Sequence, residues 1–217
     1  LSSQLLREKR GRVRQIAVAG LIIVFSALGI KTFFQCRVWK DSLTLSSAMI
    51  NANADYNKAL PMKEFFSRVY LNRGMAQMDK GDEDSALQDF NAIINFDPGF
   101  AEAYSNRSVI HLKNKKYDLA LTDLNKAVEL EPDLFKAYGN RGIVYAALKR
   151  YDLAIANYDQ ALRFNPSFAG LYFYRSLAYA DMGRFDVALA DAVKAQTLGH
   201  PNLESYIHQL KSYVTSK

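Results

Sequence analysis

The chain has 217 residues, of which 49% are hydrophobic and 23% are charged, a composition typical of folded rather than disordered proteins. Its formal net charge of +6 lies within residues 1–66, which carry ten Lys and Arg against four Asp and Glu; residues 67–217 carry eighteen of each. A neutral folded part lacks the broad basic surface needed for binding to nucleic acid, and a single cysteine, Cys36, excludes an internal disulfide or a multi-cysteine metal site.

Residues 16–34 are predicted to form a transmembrane helix. The segment from Ile16 to Ile30 contains no charged residue, and with Phe34 the span reaches the length that crosses a bilayer if Lys31 extends to the interface. A buried core helix and a cleaved signal peptide are the alternatives. Residues 1–15 carry five Lys and Arg against one Glu, which places this flank in the cytoplasm and the later residues beyond the inner membrane.

Residues 35–66 are predicted to form a juxtamembrane helix that caps the folded part. The helix is expected to begin near Asp41, and Ala52, Tyr56 and Ala59 match second-helix positions of the repeats that follow. Pro61 is expected to break this helix. The chain begins without a methionine, which is expected of the tail of a longer polypeptide.

A period of 34 residues fills residues 67–202. The hexapeptides VYLNRG, AYSNRS, AYGNRG and LYFYRS recur at this spacing and define four units, residues 67–100, 101–134, 135–168 and 169–202. With positions numbered from the first residue of each unit, tyrosine recurs at position 4, glycine or serine at position 8 and alanine at position 20. These residues are Tyr70, Tyr104, Tyr138 and Tyr172; Gly74, Ser108, Gly142 and Ser176; and Ala86, Ala120, Ala154 and Ala188.

Each unit is predicted to form two antiparallel helices, because positions 4, 8 and 11 share one helical face and positions 20, 24 and 27 share another. Small residues at positions 8 and 20 allow the helix axes to approach closely. Position 18 is predicted to cap the second helix, and proline at position 32 to end it. These residues are Asp84, Asp118, Asp152 and Asp186, and Pro98, Pro132 and Pro166. Residues 203–217 are predicted to form a capping helix, with Leu203, Ile207, Leu210 and Val214 on one stripe.

This pattern resembles the tetratricopeptide repeat (TPR) family. The resemblance implies an all-α fold, in which the N-terminal transmembrane helix is followed by an α-solenoid of four TPR helical hairpins and a C-terminal capping helix. Gln77 and His111 stand where the family usually has an aromatic residue, and Ala192 replaces a large one. Proteins of this kind bind another protein or an extended peptide on their concave face.

The candidate binding residues lie on the face that points away from the partner helix. Position 6 carries asparagine in three repeats, and each side chain offers a donor and an acceptor to the backbone of an extended peptide. The spacing is similar to the asparagine ladder of the TPR part of O-GlcNAc transferase. The predicted concave site comprises Asn72, Asn106, Asn140, Tyr174, Lys136 and Arg68. Of the basic residues that the carboxylate-clamp TPRs use, only Lys136 is present here. The alternative to a peptide-binding role is that the asparagines bond only to neighbouring loops or water.

The repeated arginines are predicted to be packing devices rather than ligand-binding groups. Many of the arginines at position 7 are expected to pair with acids or carbonyl groups between the helices, which leaves a minority free for a ligand. The arginines are Arg73, Arg107, Arg141 and Arg175, and position 23 carries Asp89, Asp123, Asn157 and Asp191.

The pattern contains no catalytic constellation, phosphate-binding loop or metal-ligand spacing, so neither an enzyme nor a cofactor is expected. The favoured function is a membrane-anchored TPR scaffold that binds protein on the extracytoplasmic side. Two alternatives stay open. The hydrophobic span followed by VWKDSLTL and NRG resembles the C-terminal end of multi-span O-mannosyltransferase-like TPR membrane proteins, which implies an acceptor-binding domain of a polytopic glycosyltransferase. A structural subunit of a larger membrane complex is the other.

Overall fold

The computed structural model describes residues 56–215, with side chains from residue 63 onward. Within these residues the fold is entirely helical. The helices are α1 (Tyr56–Asp79), α2 (Glu83–Phe96), α3 (Ala101–Lys113), α4 (Tyr117–Leu130), α5 (Phe135–Ala147), α6 (Tyr151–Phe164), α7 (Ala169–Asp181), α8 (Phe185–Thr197) and α9 (Glu204–Thr215). The predicted basic flank and transmembrane helix, residues 1–34, and residues 35–55 of the predicted cap lie outside the described part.

The helices form a chain of antiparallel hairpins, α1/α2, α3/α4, α5/α6 and α7/α8, and α9 packs against α8. Each hairpin has its own buried cluster, and each cluster extends only to the neighbouring hairpin. The predicted all-α solenoid is therefore confirmed for this part of the chain. In α9, Ile207 and Leu210 are buried together with Leu203, whereas Val214 is 37% exposed at the free end of the helix.

One predicted feature of the first described helix requires correction. The chain does not break at Pro61, because this residue lies within α1, which is described from Tyr56 to Asp79. The helix therefore continues from residues 56–66 of the predicted cap into repeat 1. Proline removes one backbone hydrogen bond, which a helix stabilised by the packing of its other residues tolerates. Within residues 56–215, no helix combines the length and the hydropathy needed to cross a bilayer.

In repeats 1 and 3, the glycine at position 8 lies directly against the aromatic ring at position 24. A Cβ atom added to Gly74 would lie 2.7 Å from Phe90, and one added to Gly142 would lie 2.5 Å from Tyr158. Where position 8 is serine, position 24 is smaller; the two pairs are Ser108 with Leu124, and Ser176 with Ala192. The hairpins thus combine a large residue with glycine and a smaller residue with serine.

The capping helix fills the space that Ala192 leaves in the fourth hairpin. Tyr206 of α9 packs on the cluster that contains Ala192, and its hydroxyl lies 3.0 Å from Ser176 Oγ. Ser176 also donates to the carbonyl oxygen of Ala188 at 2.7 Å. A helix from outside the repeats therefore supplies the large side chain that the fourth repeat lacks.

The turns within the hairpins share one geometry. Residue 15 of each repeat is left-handed, with φ of 81° at Gly81, 55° at Lys115, 59° at Lys149 and 73° at Gly183. In repeat 2, Lys115 N–H donates to the Leu112 carbonyl and Lys116 N–H to the His111 carbonyl, the paired bonds that end a helix at a left-handed residue. The next helix then starts after one further residue.

This tight turn shows that the predicted caps at position 18 are wrong. The N-cap residues of α4, α6 and α8 are Lys116, Arg150 and Arg184, none of which makes a side-chain cap bond. The aspartates at position 18 lie inside the first turn, where their charge interacts favourably with the positive end of the helix dipole. Only α2 has a side-chain cap among these four helices: Asp82 accepts from Ser85 N–H at 3.1 Å.

Replacement of Lys115 and Lys149 by glycine should stabilise the repeats by about 0.5–1 kcal/mol for each substitution, because a left-handed residue with a Cβ atom is strained. Urea denaturation followed by circular dichroism measures the free energy of unfolding. Lys194→Gly is the control, since Lys194 lies inside α8 and its replacement should destabilise by about 1 kcal/mol. Equal effects at the turns and at Lys194 would contradict the prediction.

Candidate functional site

The first helices of all four hairpins line one groove with a volume of about 370 Å³. Its walls are mostly apolar. Met75 and Met78 lie on the α1 side, Val109 and Ile143 in the middle, and Leu171 on the α7 side. Met75 is 40% exposed, so its side chain is accessible in the groove.

Asn106 and Asn140 bring polar groups into the middle of this groove. Asn106 Nδ2 donates to the Glu102 carbonyl oxygen at 2.7 Å, and Asn140 Nδ2 donates to Ser105 Oγ at 3.3 Å. These bonds fix both amides in orientation. In the described part of the chain neither Oδ1 atom accepts a hydrogen bond, so both acceptors and one N–H of each amide remain for a ligand.

Tyr174 and Lys136, two other predicted residues, line the same groove. Tyr174 is 38% exposed and its ring stacks on that of Tyr158 with centroids 6.4 Å apart. Lys136 is exposed and makes no ion pair with any residue that the structure describes. The described lining of the groove therefore combines a fixed aromatic ring and the Lys136 ammonium group with the two amides.

Asn72 and Arg68 do not belong to the lining of this groove. Asn72 is exposed on α1. Arg68 pairs with Glu64 at 3.2 Å and with Glu102 at 3.8 Å, and its guanidinium lies 5.8 Å from the centre of the Phe100 ring. The structure thus brings together four of the six predicted residues and places the other two nearer the start of α1.

Two phenylalanines at one end of the groove were not among the predicted site residues. Phe135 and Phe168 both line it, and their rings lie 5.3 Å apart. The Phe168 side chain is 43% exposed. Phe135 is the first residue of repeat 3 and Phe168 is its last. Because the two residues do not occupy the same position of successive repeats, a comparison of the repeats does not reveal them as a pair.

The arginine at position 7 pairs with the residue at position 23 in all four repeats, whereas a minority of these arginines was predicted to stay free for a ligand. Nε of Arg73, Arg107 and Arg175 donates to the aspartate at position 23 at 2.8, 2.8 and 2.7 Å, and Nε of Arg141 donates to Asn157 at 2.7 Å. Each guanidinium also lies over the tyrosine at position 4, with centroid distances of 4.7–5.7 Å. The prediction that these arginines serve packing is confirmed.

The same arginines connect neighbouring repeats, a role that the sequence analysis did not include. Nη1 of each of the last three donates to position 25 of the preceding repeat: Arg107 to Asn91 at 2.7 Å, Arg141 to Asn125 at 2.9 Å, and Arg175 to Asp159 at 2.6 Å. Each of these guanidinium groups therefore joins both helices of its own hairpin to the hairpin before it. Hydrogen bonds to Asp123 raise the pKa of Arg107, so its charge is permanent.

His111 lies beside this network, with Nε2 3.6 Å from Asp123 Oδ2. Burial lowers the pKa of His111 below 6.5, and Arg107 and Lys116 lower it further, against the opposing effect of Asp123. The unfolded state therefore binds the extra proton more readily than the folded state does. Stability is highest when the histidine is neutral in both states and falls as the pH drops through about 6.5.

We expect the free energy of unfolding to decrease between pH 7.5 and pH 5.5, and the decrease to be smaller in His111→Tyr. Tyrosine is a suitable replacement because it occupies the same position in the third and fourth repeats, at Tyr145 and Tyr179. Urea denaturation at the two pH values measures the difference. An identical pH dependence in the variant would contradict the assignment to His111.

Three segments of the chain match models of known protein families. Residues 67–100 and residues 135–168 match models described as tetratricopeptide repeat, and residues 110–149 match one described as TPR repeat. The chain contains tetratricopeptide repeats. Two of the matched segments coincide with the first and third units of the 34-residue period.

Solved structures of TPR proteins are similar to this chain. TTC0263, a thermophilic TPR protein of Thermus thermophilus, is 26% identical over 69% of this chain and 82% of its own, with a TM-score of 0.61. MamA residues 41 to the end from Desulfovibrio magneticus RS-1 is 18% identical over 70% and 92%, with a TM-score of 0.55. The latter shows the fold alone.

A third similar structure is the first TPR of Spaghetti (RPAP3) bound to an HSP90 peptide. It is 24% identical over 54% of this chain and 93% of its own, with a TM-score of 0.51, which again shows the fold alone. No curated protein matches the sequence. Within the described residues, no group of three His, Cys, Asp or Glu side chains is placed to hold a metal ion.

Proposed function

We propose that this chain is a non-enzymatic interaction scaffold that binds an extended segment of a partner polypeptide in the groove of its TPRs. The observation that carries the proposal is the pair Asn106 and Asn140, whose amides are fixed by internal hydrogen bonds while their Oδ1 acceptors remain available in an apolar groove. A hydrogen bond from a ligand N–H to a half-buried amide oxygen stabilises the complex, because that oxygen otherwise has no partner.

The spacing of the two amides suits an extended peptide. They occupy the same position on α3 and α5, which pack side by side, and packed helix axes are about 8–10 Å apart. An extended chain advances about 3.3 Å per residue, so each repeat would contact about three residues of the ligand. Main-chain hydrogen bonds of this type give affinity with little sequence preference.

The walls determine which side chains the ligand carries. Met75 and Met78 are flexible and adapt to apolar side chains of different shape, whereas Tyr174 and Phe168 offer flat aromatic surfaces. Lys136 favours a ligand with a carboxylate near the α5 side. An HSP90 peptide is held by the structurally similar TPR of Spaghetti (RPAP3), so a fold of this kind accommodates a peptide.

The double variant Asn106→Ala/Asn140→Ala should weaken peptide binding by roughly 5–100-fold, since each lost amide bond contributes about 0.5–1.5 kcal/mol. Peptides selected from a displayed library on the unaltered protein serve as ligands, and fluorescence anisotropy measures their Kd. Asn95→Ala is the matched control, because Asn95 is exposed on α2 and is not among the groove residues. An unchanged Kd in the double variant, with the thermal midpoint preserved, would refute the proposal.

We further propose that residues 16–34 anchor the scaffold in the inner membrane, with the TPRs on the extracytoplasmic side. The uncharged run and the basic flank before it support this arrangement. Cys36, the only cysteine, follows the span directly and reports its orientation. Labelling of Cys36 in intact spheroplasts by a membrane-impermeant maleimide is expected; labelling only after lysis would overturn the orientation. The relation to O-mannosyltransferase-like proteins stays a prediction.

A further inference from the structure

The turns inside the second and third hairpins carry four exposed cations. Lys115 and Lys116 follow α3, and Lys149 and Arg150 follow α5. None of the four forms an ion pair with any residue in the described range 63–215. Because α3 and α5 pack side by side, the two turns lie at the same edge of the solenoid.

Two of these cations occupy backbone positions that favour glycine. Lys115 and Lys149 are left-handed, with φ of 55° and 59°, whereas glycine takes the same position in the first and fourth repeats at Gly81 and Gly183. Glycine meets this requirement without strain, so lysine offers the fold no advantage here. Strain that the fold does not need points to a role for the side chain itself.

Exposed leucines stand one turn further along the helices that follow. Leu119 in the first turn of α4 is 50% exposed, and Leu153 in the first turn of α6 is 45% exposed. Asp118 and Asp152 lie next to them and reduce the local charge, but each also faces the positive end of its own helix. Two more carboxylates reach this edge, but both are engaged: Glu83 pairs with Lys113 at 2.6 Å, and Asp181 is hydrogen-bonded to Tyr151. In the described part of the chain, the four unpaired cations therefore remain in excess over Asp118 and Asp152.

We propose that this edge, formed by Lys115, Lys116, Lys149, Arg150, Leu119 and Leu153, docks on a lipid surface that contains anionic headgroups. The cations contact the headgroups, and the two leucines enter the interface beneath them. Exposed leucines have no counterpart in binding to a phosphate backbone, which favours lipid over nucleic acid. This surface lies at the turns, whereas the groove is lined by the first helices, so the scaffold binds lipid and peptide through separate residues.

The test uses the full chain in nanodiscs with an environment-sensitive fluorophore on the edge. Cys36→Ser/Thr122→Cys provides one labelling site on α4, one turn beyond Leu119. In nanodiscs of phosphatidylcholine mixed with phosphatidylglycerol we expect a blue shift of the fluorophore emission and quenching by lipid-borne quenchers. In nanodiscs of phosphatidylcholine alone, or at high salt, both signals should be lost.

The variant Lys115→Gly/Lys149→Gly removes two of the cations without unfolding the protein, because it relieves backbone strain and is expected to be more stable. A loss of the blue shift in this variant therefore cannot result from unfolding. The glycine variant should nevertheless lose the blue shift, as should Leu119→Ser/Leu153→Ser. Lys194→Gln/Lys211→Gln removes the same number of exposed charges from α8 and α9 and should keep it. A blue shift that survives in the glycine variant, or that appears with polyglutamate or heparin but not with anionic lipid, would overturn the proposal.

Discussion

Replacement of Gly142 by alanine is expected to destabilise the array by about 2–3 kcal/mol. The added methyl group would lie 2.5 Å from Cε1 and 2.7 Å from Cδ1 of Tyr158, whose side chain is 1% exposed and has no room to move. Overpacking of a well-filled core costs about 1–3 kcal/mol, and a rigid ring is at the upper end of that range. Urea denaturation followed by circular dichroism measures the loss.

The neighbouring repeat supplies the rescue for this prediction. Ser108 and Leu124 occupy the same two positions in repeat 2, so Gly142→Ser/Tyr158→Leu should be less destabilised than the sum of its single variants. Gly99→Ala is the control, since the nearest atom to its added methyl group would be 3.6 Å away. A coupling free energy near zero in this cycle would show that the two positions do not constrain each other.

The period and the hairpins could be predicted from sequence because they depend on local patterns that recur in four copies. Tyrosine at position 4 and alanine at position 20 mark helical faces wherever the helices finally lie. The complementary sizes at positions 8 and 24 belong to a contact between two helices, and no single helix contains the information. The caps were misplaced for a similar reason: aspartate is common both at an N-cap and in the first turn, and only the left-handed residue 15 decides between them.

Only the residues in the middle of the groove could be predicted from the sequence. Helical periodicity placed Asn106, Asn140 and Tyr174 on the inner face, and these residues line it. Neighbouring repeats of a solenoid are generally rotated slightly relative to each other, and the lining residues show that the groove crosses the first helices diagonally. It meets α1 near its end, at Met75 and Met78, and α7 near its start. Asn72, which has the same position as Asn106, therefore lies off the groove, because a fixed repeat position does not follow the superhelical twist.

Replacement of Arg107 by methionine should destabilise the array by about 3 kcal/mol, more than the same replacement of Arg141. Arg107 binds the Asp123 carboxylate through Nε at 2.8 Å and Nη2 at 2.6 Å, and the Asp123 side chain is 6% exposed. Removal of the guanidinium leaves a charged group buried without its partner, which costs about 3–5 kcal/mol in other proteins. Methionine keeps most of the side-chain volume, so the effect reports charge rather than a cavity.

Arg141 provides the matched comparison, because its partners Asn157 and Asn125 are neutral amides at 2.7 and 2.9 Å. Arg141→Met leaves no buried charge, and Asn157 keeps its bond to the Leu153 carbonyl oxygen, so a loss of about 1 kcal/mol is expected. Conversely, Asn157→Asp should stabilise the third repeat, since it restores the carboxylate found in the other three. Equal losses for Arg107→Met and Arg141→Met in urea denaturation would mean that the Asp123 carboxylate contributes nothing to stability beyond what a neutral amide does, and would contradict the prediction.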